Sequence, residues 1–175
     1  MEIKKASGRE LRRIKRMYLE AFPRAERKPF WIMKQKAGQG VMELLAIREK
    51  GQPVGLAFTV RYQDLVLLDY FAVDRKCRGQ NYGSRALMLL KERYQDRRFL
   101  LEIELPDGKA SDQDERVRRK CFYLKNGMQE TGIQVSVFGV PMELLTDGKP
   151  LNYEEYHRIY KEIIGTFFAR RVMQL

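Results

Sequence analysis

Apolar residues recur at helical spacing after Ser7, at Leu11, Ile14, Tyr18 and Phe22, which predicts an amphipathic helix ending near the Phe22-Pro23 step. Ser7 followed by Glu10 is the sequence form of a capping box, in which each side chain satisfies a backbone N–H near the other. Residues 24–40 are basic, with Phe30, Trp31, Ile32 and Met33 clustered, and predict a second short helix and a loop. Glu43–Ile47 and Val54–Val60 then read as strands. The stretch Arg48–Pro53 between them holds glycine and proline, so an antiparallel hairpin is expected. Leu65–Val73 is a third apolar strand. A helix from Tyr82 to Tyr94 carries Ala86, Leu87, Leu90 and Tyr94 on one face, and Phe99–Leu105 returns to strand. Residues 106–114 are polar and loop-like, and a short helix Arg116–Asn126 is closed by Gly127. Ile133–Val140 alternates as a strand, with Pro141–Leu145 pairing beside it. Asn152 and Glu155 predict the cap of a last helix, on which Tyr153, Tyr156, Tyr160, Ile163 and Phe167 form a stripe. This order predicts a mixed α/β single domain. Residues 1–145 form the domain proper, and 146–175 a linker and an amphipathic helix packed on it.

Composition narrows the picture. A chain of 175 residues buries a sizeable core without disulfide staples. No apolar run approaches the ~18–20 residues of a membrane span, and the N-terminus lacks the apolar core of a signal peptide. Two cysteines and one histidine are too few for a disulfide framework or a transition-metal site, so a cytoplasmic, metal-free protein is expected. Charge is more informative. The net charge is +11, and residues 1–40 hold twelve Lys and Arg against four Glu, +8 in that quarter alone. A solvated helix face accounts for much of it. The sharper reading is attraction of a polyanion: a phosphorylated cofactor, an acidic acceptor or nucleic acid.

The chemistry is concentrated in Leu65–Tyr94, which runs from an apolar strand through a charged turn into a helix. Between them lies Arg78-Gly-Gln-Asn-Tyr-Gly-Ser84. Gly79, Asn81 and Gly83 are residue types that tolerate positive φ, so successive N–H groups can turn toward an anion at the positive end of the helix dipole. Arg78 and Arg85 flank the loop and can add charge. Three phosphate loops compete for this pattern. A Walker A loop needs Gly-Lys-Ser/Thr, which is absent, and the dinucleotide fingerprint needs G-x-G-x-x-G where this chain has only G-x-x-x-G, although Glu102 lies at a tolerable distance for a ribose-binding acid.

The third pattern is the Arg/Gln-x-x-Gly-x-Gly/Ala loop of acetyl-CoA-dependent N-acetyltransferases, and the segment resembles that GNAT superfamily. Asn81 stands where the central glycine usually sits. Asp69-Tyr-Phe-Ala-Val73 resembles the family's fourth strand, Leu101-Glu-Ile103 its L-E-V strand, and Arg119-Lys-Cys-Phe-Tyr-Leu-Lys-Asn-Gly-Met128 its R-x-x-F-Y-x-x-x-G-F element, with Met128 for the aromatic. Three elements in order cover about residues 65–128. Arg116 departs from the pattern, standing where many members have Asn. The resemblance implies a GNAT-like fold, with a central, mostly antiparallel sheet flanked by helices, plus the extra C-terminal helix. It also implies acetyl-CoA bound by the backbone of Phe71, Ala72 and Val73 and by Arg78, Gly79, Gln80, Asn81, Tyr82, Gly83 and Ser84.

Moving an acetyl group from a thioester to an amine needs a neutral amine, a polarised carbonyl, alignment and a stabilised leaving thiolate. The resemblance assigns protonation of the thiolate to Tyr123 and carbonyl polarisation to a backbone N–H near Val73. Strand alternation puts Glu102 and Glu104 on one face, where buried acids need a partner or a task. Glu102 is the first choice of base and Glu104 the second, with Asp69 or a relayed water as further choices. Pairing of Glu102 and Glu104 with Arg116, Arg118 or Arg119 is the structural alternative. Cys77 and Cys121 lack a histidine beside them for a covalent route, and His157 falls on the polar side of the last helix. By resemblance the acceptor cleft is walled by Phe22–Trp31 and the last helix. The expected activity is acetyl transfer to a primary amine of a small molecule or peptide in a ternary complex, by a monomer or homodimer. A nonenzymatic acyl-CoA-binding module is the alternative, and nucleic-acid binding ranks last.

Overall fold

A computed structural model describes residues 1–106 and 114–175, so the interior of the polar loop expected at 106–114 lies outside the described residues. Among these the chain forms eight strands and five α-helices, a mixed α/β architecture whose strand pairs are mostly antiparallel. It falls into two compact units, Met1–Arg61 with Leu68–Arg93, and Tyr62–Leu67 with Tyr94–Leu175.

The first unit holds β1 (Glu2–Lys5), α1 (Gly8–Ala21), a 3-10 turn at Arg24–Glu26, α2 (Phe30–Gly38), β2 (Met42–Glu49), β3 (Gln52–Tyr62), most of β4 (Leu65–Val73), a second 3-10 turn at Arg75–Cys77, and α3 (Tyr82–Arg93). Its strands lie in the order β1-β2-β3-β4. The expected hairpin is present but tighter than predicted. Glu49 pairs directly with Gln52, leaving only Lys50 and Gly51 as the turn, at φ 50° and 75°. Positive φ at both positions matches the right-handed twist of the strands. Pro53 lies inside β3 opposite Arg48, and the register slips between Ile47 and Arg48, so Val54 beside the proline is the extra residue of a bulge.

Helix α1 turns Ile14, Met17 and Tyr18 inward. The capping box at its start does not form. Ser7 makes no side-chain cap bond, and both Glu10 oxygens instead accept from the Arg48 guanidinium at 2.6 Å. A charged fork outcompetes a neutral backbone N–H for the same carboxylate. Tyr18 anchors an aromatic core, its ring 4.8 Å edge-on from Tyr70 and 5.6 Å from both Phe22 and Phe58. Phe30 joins this core at 6.2 Å, whereas the adjacent Trp31 is 68% exposed. The Tyr18 hydroxyl donates to the Lys28 carbonyl, and the Tyr70 hydroxyl donates to the Glu26 carbonyl and accepts from the Lys28 N–H. Two phenols thus fasten residues 26–28. Burial, with Tyr70 beside it, raises the Tyr18 phenol pKa far above its ordinary value.

The second unit holds β5 (Arg98–Glu104), α4 (Glu115–Lys125), β6 (Gln129–Val137), β7 (Val140–Thr146), α5 (Tyr153–Ala169) and β8 (Val172–Gln174), with strand order β5-β7-β6-β8. All three of these pairings are antiparallel. Here the predicted capping box does form. Asn152 accepts from the Glu155 N–H and Glu155 from the Asn152 N–H. Glu155 also accepts from Arg98 at 2.8 and 2.9 Å, and Arg98 bonds Asp64 at 2.7 and 3.1 Å. The tyrosine stripe stops early. Gly165, at φ 81° and ψ 160°, kinks α5, and Phe167 beyond it is 72% exposed. His157 is half-buried rather than a surface residue, stacked on Tyr153 with its Nε2 2.8 Å from the Ala169 carbonyl. Tyr153 donates to the Val172 carbonyl, so one turn of α5 holds the chain that follows the kink.

Arg98 holds the Glu155 carboxyl below its ordinary value, chiefly by hydrogen bonding. A carboxyl depressed in the fold contributes stability above its unfolded pKa, and that contribution is lost as pH falls through the folded one. Glu155→Gln is therefore expected to lower Tm by about 2–4 °C near neutrality, ~1 kcal/mol for a chain of this size. The difference from the unaltered protein should close below about pH 4, as thermal melts by circular dichroism at both pH values would show.

Candidate active site

The loop at residues 78–84 grows from the end of β4. The Asp74 N–H donates to the Val54 carbonyl at 2.8 Å, and the Asp74 carboxylate accepts from the Lys76 N–H, capping the turn Arg75–Cys77. Gly79 and Asn81 then adopt φ 78° and 58°, so the asparagine takes the left-handed conformation that the glycine of the pattern would. Helix α3 begins at Tyr82, and the Arg85 N–H donates to the Asn81 carbonyl. The N–H groups of Tyr82, Gly83 and Ser84 precede that bond and have no intrahelical acceptor. Residues 78–81 are exposed and 82–84 half-buried. This is a surface-accessible row of amides at a helix start, suited to a phosphate or pyrophosphate.

Arg78 is exposed and lines a shallow depression with Met17, Glu20, Ala72, Val73 and Arg75. Arg85 differs from expectation. Its guanidinium bonds Glu49 at 3.4 Å and lies 5.9 Å from the Tyr82 ring, and Glu49 also pairs with the N-terminal amine, so this cation has a partner in the fold while its side chain stays 41% exposed.

Phe71, Ala72 and Val73 form the half-buried end of β4 in the same unit as the loop. Their position depends on a residue that the motifs do not contain. A Cβ at Gly55 would lie 2.5 Å from the Ala72 carbonyl oxygen and 3.3 Å from the Val73 Cα. Only glycine permits that approach. A glycine inside the apolar run Val54–Val60 was the available signal, since glycine in a strand marks close backbone approach.

Asp69, also on β4, is paired with Lys28 at 2.5 Å, with side-chain exposures of 4% and 18%. Its other oxygen, Oδ2, is buried without a hydrogen-bond partner among the described residues. Lys28 lies in the segment fastened by Tyr18 and Tyr70, and its ammonium is 5.2 Å from the Tyr70 ring.

The second unit carries the other expected groups. Tyr123 on α4 is buried, packed edge-on against Phe122 at 5.1 Å, and burial pushes its phenol up to about 12, partly offset by Arg119. It is a firmly protonated donor at neutral pH. Glu102 meets two phenols from α5. Tyr156 donates to one of its oxygens at 2.8 Å and Tyr160 to both, at 2.8 and 2.9 Å. Glu104 lies 3.7 Å from Arg116. Arg116 turns back on Asp114, which caps α4 by accepting from the Arg116 N–H, and the guanidinium bond holds the Asp114 carboxyl down to about 2. The residue that departs from the motif thus serves the helix cap. Among the described residues no group of three or more His, Cys, Asp or Glu is placed to hold a metal, and no helix is long and apolar enough to cross a membrane.

The sequence model of the acetyltransferase (GNAT) family matches residues 11–119, a span that contains the loop, β4, β5 and the start of α4. The chain belongs to the GNAT family. Among solved structures, it resembles a GNAT-family protein from Bacteroides thetaiotaomicron at 19% identity and TM-score 0.74, over 97% of this chain and 99% of that one. It also resembles the ribosomal-protein-alanine N-acetyltransferase of Brucella melitensis (19%, TM-score 0.60, 86% and 100%) and a GNAT acetyltransferase of Elizabethkingia anophelis solved with acetyl-CoA (15%, TM-score 0.53, 83% and 95%). At these identities the likeness establishes the GNAT fold. No curated protein matches the sequence. Family membership makes the chain an acyltransferase.

Removing one member of a buried ion pair leaves a charge without compensation, at a cost of ~3–5 kcal/mol. Lys28→Met is expected to destabilise the first unit by that amount in urea unfolding. Lys28→Met combined with Asp69→Leu should recover most of the loss.

Proposed function

We propose that this GNAT protein transfers the acetyl group of acetyl-CoA to a primary amine of a small molecule or peptide, by direct attack in a ternary complex. The observation that carries this reading is the open row of amides at Gly79–Ser84, shaped by positive φ at Gly79 and Asn81. In the proposal these amides and Arg78 hold the pyrophosphate. The backbone of Phe71–Val73 pairs with the pantetheine arm, and an N–H near Val73 polarises the thioester carbonyl. The amine lone pair attacks the carbonyl carbon, the C–N bond forms and the C–S bond breaks. Tyr123 gives its proton to the departing thiolate, and the amine proton leaves to a carboxylate or to water.

Three carboxylates remain candidates for that last role, and their partners separate them. Glu102 has its oxygens engaged by two tyrosine hydroxyls, Glu104 is half-exposed near Arg116, and Asp69 keeps one buried oxygen with spare acceptor capacity. Spare acceptor capacity favours Asp69 in chemical terms. The base should be the residue whose amide variant removes the acidic limb of the pH–rate profile.

The reading is tested by incubating the protein with acetyl-CoA and a broad amine panel while following release of free thiol. Tyr123→Phe is expected to lower kcat by roughly 10-fold to 1000-fold with little change in CoA affinity. No thiol release on any amine, with CoA still bound, would favour the nonenzymatic module.

The loop assignment has its own test by calorimetry. Gly83→Val, which puts a branched side chain on the first turn of α3, and Gly55→Ala, which forces Ala72 and Val73 to move, should each weaken CoA binding by more than about 10-fold, ~1.4 kcal/mol. Gly51→Ala in the β2–β3 turn, where a Cβ meets nothing within 4 Å, should leave it unchanged. Equal affinity in all three would remove the loop and β4 from the binding site.

A further inference from the structure

We propose that the exposed face of α1, continued by Trp31 at the start of α2, is a docking surface for single-stranded nucleic acid. Arg9, Arg12, Arg13, Lys15 and Arg16 are all exposed on α1. Arg9, Arg12 and Arg16 follow helical spacing along one side, spanning two turns and about 10.5 Å. Of the acids near the row, Glu20 is exposed one turn beyond Arg16, and the other two are engaged elsewhere. Glu10 is bound by Arg48, and Glu2 by Lys4 and Arg48. Among the described residues, Arg9, Arg12, Lys15 and Arg16 are in no ion pair, so a row of four cations faces solvent with the single carboxylate of Glu20 at its far end.

That row calls for a polyanion, and two features select among polyanions. Four of the five cations are arginine, whose planar fork matches phosphate oxygens. The apolar side of α1 (Ile14, Met17, Tyr18) is buried in the core, which leaves Leu19 as the one large exposed hydrophobic of the helix, too little apolar surface to sink into a bilayer. The row also reaches an aromatic platform. Lys15 places its ammonium 5.4 Å from the Phe30 ring, at the residue before Trp31. Trp31 is 68% exposed, and Lys34 one turn further along α2 is exposed as well. Cations that track a backbone, next to a flat ring on which a base can stack, are the two parts of sequence-tolerant single-strand binding.

Trp31 is the only tryptophan of the chain, so its fluorescence reports on this surface alone. The full chain is titrated with labelled oligouridine between about 50 and 200 mM salt. The expected result is quenching of Trp31 emission and a log Kd against log salt slope of about 2–3, since each phosphate contact on a single strand contributes about 0.7. Arg12→Gln with Arg16→Gln should reduce that slope by about 1.4 without shifting Tm, and Trp31→Phe should weaken binding at least fivefold. No binding overturns the proposal, as does tighter binding to polyglutamate or to anionic vesicles than to oligouridine. Binding that leaves Trp31 emission and the salt slope of the double variant unchanged overturns it too. None of these readouts requires acetyl transfer, so either proposal can fail while the other stands.

Discussion

The end of β4 lies where it does because residue 55 has no side chain. Any Cβ there would press to 2.5 Å on the Ala72 carbonyl, and that carbonyl is backbone, with no rotamer by which to move away. The approach fixes Ala72 and Val73, the Asp74 N–H is tied to Val54 one residue before the glycine, and the turn capped by Asp74 then launches the Gly79–Ser84 loop. A close contact between two strands thus sets the start of a helix some ten residues later. The conformation of the loop is a local matter of φ angles, but its placement is inherited from β3.

Two capping-box sequences had opposite outcomes, and the difference shows where local patterns stop being sufficient. Ser7-x-x-Glu10 and Asn152-x-x-Glu155 satisfy the same rule. In each case an arginine distant in sequence competes for the glutamate, Arg48 for Glu10 and Arg98 for Glu155. At Glu10 the guanidinium takes both oxygens head-on and the cap is lost. At Glu155 one oxygen accepts from Arg98 and from the Asn152 N–H together, so the cap survives beside the ion pair. The sequence contains both glutamates and both arginines, but not the register that aims one at the other.

The same limit explains the rest of the mismatch between expectation and fold. The hairpin, β4, α3, β5, α4 and the cap of α5 were legible because each announces itself through period, turn chemistry or capping residues. Strands β1 and β8 were not. Three or four residues are too few to show alternation, and Glu2–Lys5 is mostly charged. The aromatic stripe of α5 overran because Gly165 is compatible with a helix, and only its φ of 81° shows that the stripe ends. In the candidate site, the anion loop was readable down to Asn81 adopting a glycine's conformation, whereas Gly55 and Lys28 belong to no motif and enter through β3 and the α1–α2 connection.

The acids make the most consequential case. On the strand pattern, Glu102 and Glu104 share a face, with Glu102 the first choice of base and Glu104 the second. The fold separates them by what faces each one. Residues 54 and 58 positions further along the chain bring phenol hydroxyls to Glu102, and a half-buried carboxylate so satisfied is held in place at little cost in desolvation. Asp69 shares its charge with Lys28 through one oxygen and, among the described residues, has no donor for the other. A buried acceptor left unsatisfied costs free energy that a fully packed strand gains nothing by bearing. That cost is understandable if an N–H from outside the protein completes the site, and an attacking amine carries one. The distribution of hydrogen-bond donors, more than the order of the strand, therefore argues for Asp69 as the carboxylate that meets the acceptor.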